Sequence, residues 1–193
     1  MLLAEKDSGR LDADMVVGVP DSSLSAAMGY SEKSGLPYEM GLIKNRYVGR
    51  TFIEPTQKLR DTGVKMKLSA NSTVVKGKRL ILLDDSIVRG TTSDRIVHML
   101  REAGAKEVHM RVSSPPFLWP CYFGTDVPAR EQLIAYNRSV DVICKIIGAD
   151  SLAYLRTERL DEMVNELGIC KGCFTGKYPI DPPEEDIRGE FDK

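Results

Sequence analysis

Short apolar runs alternate with amphipathic stretches over the first 116 residues. MVVGV (15–19) is apolar and rich in β-branched residues, which predicts a buried strand closed by the tight loop PDSS. SLSAAMGYSEKSG follows and predicts a helix, with Ser22 or Ser23 as its N-cap and Gly35 as its stop. PYEMGLI (37–43) predicts a second strand. The stretch KNRYVGRTFIEPTQKLRDTGVKMKLSAN (44–71) is polar, basic and weakly periodic. Long loops of that kind in small domains are usually functional or disordered.

RLILLDD (79–85) is the clearest strand, an apolar run ending in two acids. TTSDRIVHMLREAGA (91–105) is the clearest helix: Ile96, Val97, Met99, Leu100 and Ala103 fall on one broad face, and Gly104 sits at the cap. EVHMRVSSPP (107–116) predicts the next strand. Strand–helix–strand at this spacing is a βαβ unit, so a parallel sheet with right-handed crossovers is expected. Beyond Pro116 the pattern loosens. SVDVICKIIGADSLAYL (139–155) and RTERLDEMVNELG (156–168) read as helical or mixed pieces. The expected division is one α/β domain over residues 1–180 and a flexible acidic tail over 181–193.

Composition narrows the class. Of the 193 residues, 42% are hydrophobic and 28% charged, an ordinary soluble mixture long enough for a substantial core. The net charge of −1 offers nothing to a nucleic acid or a membrane surface, so neither is expected as a partner. No apolar run approaches the ~20 residues of a membrane span, and the first residues turn charged too soon for a signal peptide. A cytoplasmic location is expected.

The run LILLDDSIVRGTTS (80–93) carries the clearest chemistry. Ligands of open α/β sheets bind beyond the carboxyl ends of the strands, where Asp84 and Asp85 are expected. Adjacent carboxylates there can accept hydrogen bonds from a cis-diol or hold Mg²⁺. Arg89, Gly90, Thr91, Thr92 and Ser93 lead into a helix N-terminus, whose free N–H groups and dipole favour a phosphate. Gly90 allows close approach, and the hydroxyls add donors. One end suits a diol and the other a phosphate, as in ribose 5-phosphate. The bland reading is turn and cap chemistry, since paired acids and Thr or Ser are common at such positions.

As a whole string, LILLDDSIVRGTTS resembles the phosphoribosyl-pyrophosphate (PRPP) motif of the type I phosphoribosyltransferases. VGVPDSS, GLIKNRYVGRTFIEP, VKMKLSAN, REAGAKEVHMRVSSPP, IGADSLAYL and CFTGKYP narrow this further. Together they resemble the amidophosphoribosyltransferases, and most closely the branch with an iron–sulfur cluster, over residues 14–180. The resemblance implies a type I phosphoribosyltransferase fold: a mainly parallel twisted sheet flanked by helices. It implies transfer of the phosphoribosyl group from PRPP to ammonia, drawn from glutamine in the family, at the first step of purine synthesis. The family joins an N-terminal glutaminase domain to the phosphoribosyltransferase domain. Residue 1 already matches the second of these, so a chain without the glutaminase domain is expected.

The resemblance also implies roles by position. Asp84 and Asp85 contact the ribose hydroxyls and Mg²⁺, and Ser22 is a third metal-contacting position. Asp21, Ser22 and Ser23 lie near pyrophosphate; Ser86 belongs to the phosphosugar loop with Arg89 to Ser93. The basic stretch matches a loop that orders over PRPP, making Lys44, Arg46, Arg50, Lys58 and Arg60 candidates, with Arg50 and Lys58 grouped with the two acids as catalytic. Solvated surface charge is the bland reading for any one of these cations. His98 and His109, within a helix and a strand, are expected to be structural.

There are four cysteines, and CKGC (170–173) alone is compatible with zinc, an iron–sulfur cluster or redox chemistry. The resemblance selects a four-iron cluster with Cys121, Cys170 and Cys173 as ligands, the fourth lying upstream of Met1. Cys144 matches no ligand and is expected to be a buried thiol. Purine nucleotides as inhibitors and a homo-oligomer are further implications. Two other readings are a PRPP-sensing regulator without catalysis and a nucleobase salvage enzyme. The first calls for a basic DNA-binding segment and the second for a hood over the base, and the chain resembles neither.

Overall fold

The structure is a computed structural model that describes residues 1–7, 11–45, 68–123, 129–164 and 167–182. In chain order its elements are α1 (Leu2–Asp7), β1 (Met15–Gly18), α2 (Leu24–Ser34), β2 (Leu42–Lys44), β3 (Leu68–Ala70), α3 (Ser72–Val75) and β4 (Arg79–Asp84). They continue with α4 (Thr91–Glu102), β5 (Glu107–Val112), α5 (Val140–Ile146), β6 (Ser151–Tyr154), α6 (Leu160–Met163) and α7 (Gly172–Thr175).

Strands β1, β4, β5 and β6 pair in that order as one parallel sheet. The residues of β1, β4 and β5 are buried almost without a break, the signature of strands covered on both faces. Val17, Leu80, Leu82, Val108 and Met110 pack on one side with Ile96, Val97 and Leu100 of α4 and Ile143 of α5. Val16, Ile81 and Leu83 pack on the other with Leu3 of α1 and with Ala27 and Tyr30 of α2. The two sets alternate along β1 and β4 because successive side chains of a strand face opposite ways. Each such side chain contributes roughly 1.5–3 kcal/mol on burial. Gly18 is needed where α2 crosses β1: a Cβ there would stand 2.9 Å from that of Ala27.

The predicted strands at 15–19, 79–85 and 107–116 and the two predicted helices are present, with ends trimmed by up to four residues. Gly35 ends α2 with φ at 75°, the left-handed stop expected of it, and Gly104 follows α4 with φ at 96°. Two expectations are corrected, and a third is resolved. Segment 37–43 is not one strand: Tyr38 makes an isolated bridge to Val16, and a new strand begins at Leu42. The basic stretch ends in β3, which pairs antiparallel with β2. Residues 139–155, expected to be helical or mixed, are mixed: a short helix and then β6, the fourth strand of the main sheet.

Ionic contacts fix the start of the central strand. The Asp14 carboxylate accepts from Arg79 N at 2.7 Å, Nε at 3.3 Å and a terminal guanidinium nitrogen at 2.8 Å, and Asp12 also pairs with Arg79. The hydrogen bond from the Arg79 side chain, then that from its backbone, holds the Asp14 carboxyl down at about 2. A carboxyl depressed in the folded state stabilises it above the unfolded pKa and loses that contribution as pH falls through the folded value. We therefore expect stability to decline between about pH 4 and 2, and Asp14→Asn to remove part of that slope. The Asp14 side chain is 29% exposed, so screening keeps the effect to about 1 kcal/mol. Urea unfolding of both proteins across that range checks it; parallel curves would refute it.

Candidate functional site

Two loops leave neighbouring strand ends. One runs from Pro20 to Ser23 after β1, the other from Asp85 to Gly90 after β4. Because Gly18 lies opposite Leu83 in the parallel register, the loops start side by side at the carboxyl edge of the sheet. The Pro20–Asp21 peptide is cis.

Asp84, the last residue of β4, is buried, whereas Asp85 is exposed. The Asp84 Oδ1 accepts from Ser23 Oγ at 3.2 Å and from Asp85 N at 2.9 Å. The bond from Ser23 joins the two loops directly. Burial, and then the negative charge of Asp85, push the Asp84 carboxyl up to about 7; the two hydrogen bonds oppose the shift. Both bonds fall on Oδ1, so neither occupies Oδ2. A buried acid held near neutrality beside an exposed one suits an incoming cation or hydroxyl pair, which would favour the ionised form.

Ser23 is the N-cap residue of α2, but its side chain makes no capping bond. It is fully buried, and its hydroxyl serves Asp84. Asp21 and Ser22 are exposed on the same loop, and Lys44 at the end of β2 pairs with Asp21 at 2.6 Å. The β1 loop thus carries a cation anchored beside two exposed polar residues. Arg46, Arg50, Lys58 and Arg60 lie outside the described residues.

At the other end of the β4 loop, Gly90 is the N-cap residue of α4 with φ at 83°. Thr91 and Thr92 are exposed in the first turn, and Ser93 is buried. Ser86 donates to Asp85 Oδ1 at 2.9 Å. Arg89 is exposed, and its Nε and a terminal nitrogen donate to Gln132 Oε1 at 3.3 and 3.2 Å. Behind the loop, Ile134 N donates to Val88 O at 2.8 Å. The Ser23–Asp84 and Arg89–Gln132 bonds are invisible in the sequence, because their partners stand 61 and 43 residues apart with no local pattern to link them.

The cysteine segment lies against 117–123. Cys173 O accepts from Leu118 N and Trp119 N, both at 3.0 Å, and Tyr178 Oη donates to Pro120 O at 2.7 Å. Burial, then the charge of Cys121, push the Cys173 thiol up to about 11, with Cys170 adding to it. The three thiols are therefore electrostatic neighbours. Yet no group of three or more His, Cys, Asp or Glu side chains among the described residues is arranged to hold a metal. Cys144 is half-buried rather than buried; its thiol donates to Ala149 O at 3.1 Å, and burial raises its pKa. His109 lies between Ser151 Oγ and Glu107 Oε2, each at 3.0 Å, and His98 is exposed opposite Asp94.

A family model described as "Phosphoribosyl transferase domain" matches residues 2–114, which include both loops. The chain belongs to that family, and its fold is the type I phosphoribosyltransferase fold. Among curated relatives it is 56% identical to amidophosphoribosyltransferase of Bacillus subtilis over 186 residues, covering 93% of this chain and 39% of that protein. It is also 56% identical to amidophosphoribosyltransferase of Archaeoglobus fulgidus over 180 residues, covering 91% and 39%. The structure of the Bacillus subtilis glutamine PRPP amidotransferase complexed with ADP and GMP superposes with a TM-score of 0.83 at 55% identity, over 95% of this chain and 41% of that one. The chain thus spans about two-fifths of the length of these relatives.

Proposed function

We propose that this chain is the phosphoribosyltransferase part of an amidophosphoribosyltransferase, converting PRPP and ammonia to 5-phosphoribosylamine and pyrophosphate in purine synthesis. The buried Asp84 carboxyl at the strand end, tied to Ser23 of the next loop and flanked by exposed Asp85, carries this reading. Asp84 and Asp85 would take the ribose hydroxyls. Gly90, Thr91 and Thr92, at the start of the 12-residue helix α4, would take the 5-phosphate. Arg89 and Ser93 belong to the same loop and turn. Asp21, Ser22 and Lys44 would face the pyrophosphate.

In the reaction the bond from ribose C1 to the pyrophosphate oxygen breaks with its electron pair leaving on oxygen. The ammonia lone pair forms the new C1–N bond on the opposite face, and the nitrogen loses one proton to solvent. Ammonia is already a nucleophile, so neither His98 nor His109 is needed as a base. Magnesium fits Asp84 and Asp85, with Ser22 as a third contact, since phosphate oxygens and water commonly complete its sphere. It would supply charge neutralisation for the departing pyrophosphate. Arg50 and Lys58 are assigned by family position to the same task. An iron–sulfur cluster on Cys121, Cys170 and Cys173 would be structural; the present arrangement of the described thiols does not form such a site.

The likeness to an enzyme whose structure holds ADP and GMP also supports purine nucleotides as ligands; a homo-oligomer and a cytoplasmic location rest on the sequence resemblance alone. No helix among the described residues is long and apolar enough to cross a membrane. The test is pyrophosphate release from PRPP with magnesium, with and without ammonium. Ammonium-dependent release is expected. Tight PRPP binding without release would favour a sensing module, and no PRPP binding would end the proposal.

A further inference from the structure

The 5-phosphate end of the phosphosugar loop leans on an outside segment. We infer that Arg130–Ile134 is a positioning strut for the 5-phosphate end of that loop, with Gln132 and Ile134 as its positioning residues. The inference rests on the functional reading above.

Three contacts converge from this segment. Ile134 N donates to Val88 O at 2.8 Å. Ile134 Cδ1 lies so close to Gly90 that a Cβ there would collide with it, so the end of the Ile134 side chain abuts the Gly90 backbone. Gln132 Oε1 accepts two bonds from the Arg89 guanidinium. The residues addressed are Val88, Arg89 and Gly90, the three that set the direction of the first N–H groups of α4.

The strut is itself braced. The Arg130 guanidinium carbon sits 3.4 Å from the Trp119 ring centroid and 5.0 Å from that of Tyr136, and Nε donates to Leu118 O at 3.1 Å. Trp119 in turn packs over Gly176, and its backbone N–H bonds to Cys173 O. A stacked arginine gives a stiff attachment, because its planar group is held on a face and along an edge at once. The Ser23–Asp84 bond holds the opposite, diol end of the loop. The two ends therefore have separate supports, and a defect in the strut should be felt by the phosphate and not by the pyrophosphate.

The experiment is calorimetric titration of the 193-residue chain with ribose 5-phosphate and, separately, with magnesium pyrophosphate. Gln132→Met keeps the length of the side chain and removes the acceptor. Ile134→Val removes the Cδ1 that touches Gly90, and Ile134→Ala removes more. Ribose 5-phosphate should bind roughly tenfold more weakly to Gln132→Met and Ile134→Ala, about the effect of one lost hydrogen bond to a charged group, with Ile134→Val in between. Pyrophosphate affinity should hold in all three variants and the thermal midpoint in Gln132→Met, whereas Ile134→Ala, which empties part of a buried site, lowers the midpoint without touching pyrophosphate. Unchanged ribose 5-phosphate affinity overturns the strut, and so does parallel weakening of both ligands with a falling midpoint, which marks general destabilisation. If the unaltered chain binds neither ligand, the functional reading fails first and takes the strut with it.

Discussion

Asp84→Asn combined with Asp85→Asn abolishes PRPP binding and leaves the fold intact. Both carboxylates are assigned to the ribose hydroxyls and the metal, and each hydrogen bond to a charged group is worth about 1.5–3 kcal/mol. Losing two weakens binding by at least about a hundredfold, which calorimetry reads as no detectable heat at millimolar ligand. The fold survives because the amide of the Asp84→Asn side chain keeps an oxygen for Ser23 Oγ and for the backbone N–H of residue 85, the two bonds that Asp84 Oδ1 now accepts. Stability even rises with pH relative to the parent. The Asp84 carboxyl is pushed up to about 7 in the folded protein, against an ordinary 3.8, so folding disfavours its ionised form. Below about pH 4 both states are protonated and the parent carries no penalty. From there to above pH 7 the penalty grows to a few kcal/mol, and the double variant escapes it. Normal PRPP binding by the variant would remove these acids from the site.

The second large effect lies away from the ligand. Arg111→Met lowers stability by about 3–5 kcal/mol, measured by urea unfolding, because it leaves a carboxylate without its partner. Arg111 is buried on β5 and donates to both oxygens of Asp7, to Met110 O at 2.7 Å and to Ser151 Oγ at 3.0 Å. Tyr30 Oη also donates to Asp7, at 2.9 Å, so one carboxylate ties α1 and α2 to the sheet. Burial, then the hydrogen bond to Asp7 and its charge, raise the Tyr30 pKa. Adding Asp7→Leu to Arg111→Met should recover most of the loss, since replacing both partners removes the orphaned charge as well as the bond. A loss below about 1 kcal/mol in the single variant would mean that water already reaches the pair.

Both residues show what a sequence can and cannot disclose. Asp84 is legible because a run of apolar β-formers ends at paired acids, a local pattern that marks both the strand and its carboxyl end. Arg111 carries no mark: within EVHMRV it is one polar residue in a strand, and only its match with Asp7, 104 residues away, makes it central. The same holds for the elements. β4 and α4 are long enough to stand out, one as an unbroken apolar run and the other by its 3.6-residue period. β2 and β3 have three residues each, too few to show any period, and exist because they pair with each other across the basic stretch. β6 is hidden because its apolar residues follow those of α5 closely, so two elements read as one mixed run. Ser23 is legible as a helix-start residue; its bond to Asp84 depends on which strands are neighbours, and strand order is not written in any window of sequence.

The antiparallel pairing of β2 with β3 has a practical consequence for engineering. Lys44 lies opposite Leu68, so the two residues that flank the span 45–67 stand side by side. Closing a loop whose ends already meet depends weakly on its length; each doubling costs about 0.6 kcal/mol. In chain entropy, the span 45–67 is therefore a tolerant place for a change of length. A reporter domain put in its place would be held at both ends by the pairing of β2 with β3. Arg50 and Lys58 leave with the original sequence, so such a chimaera separates the folding of the domain from its turnover.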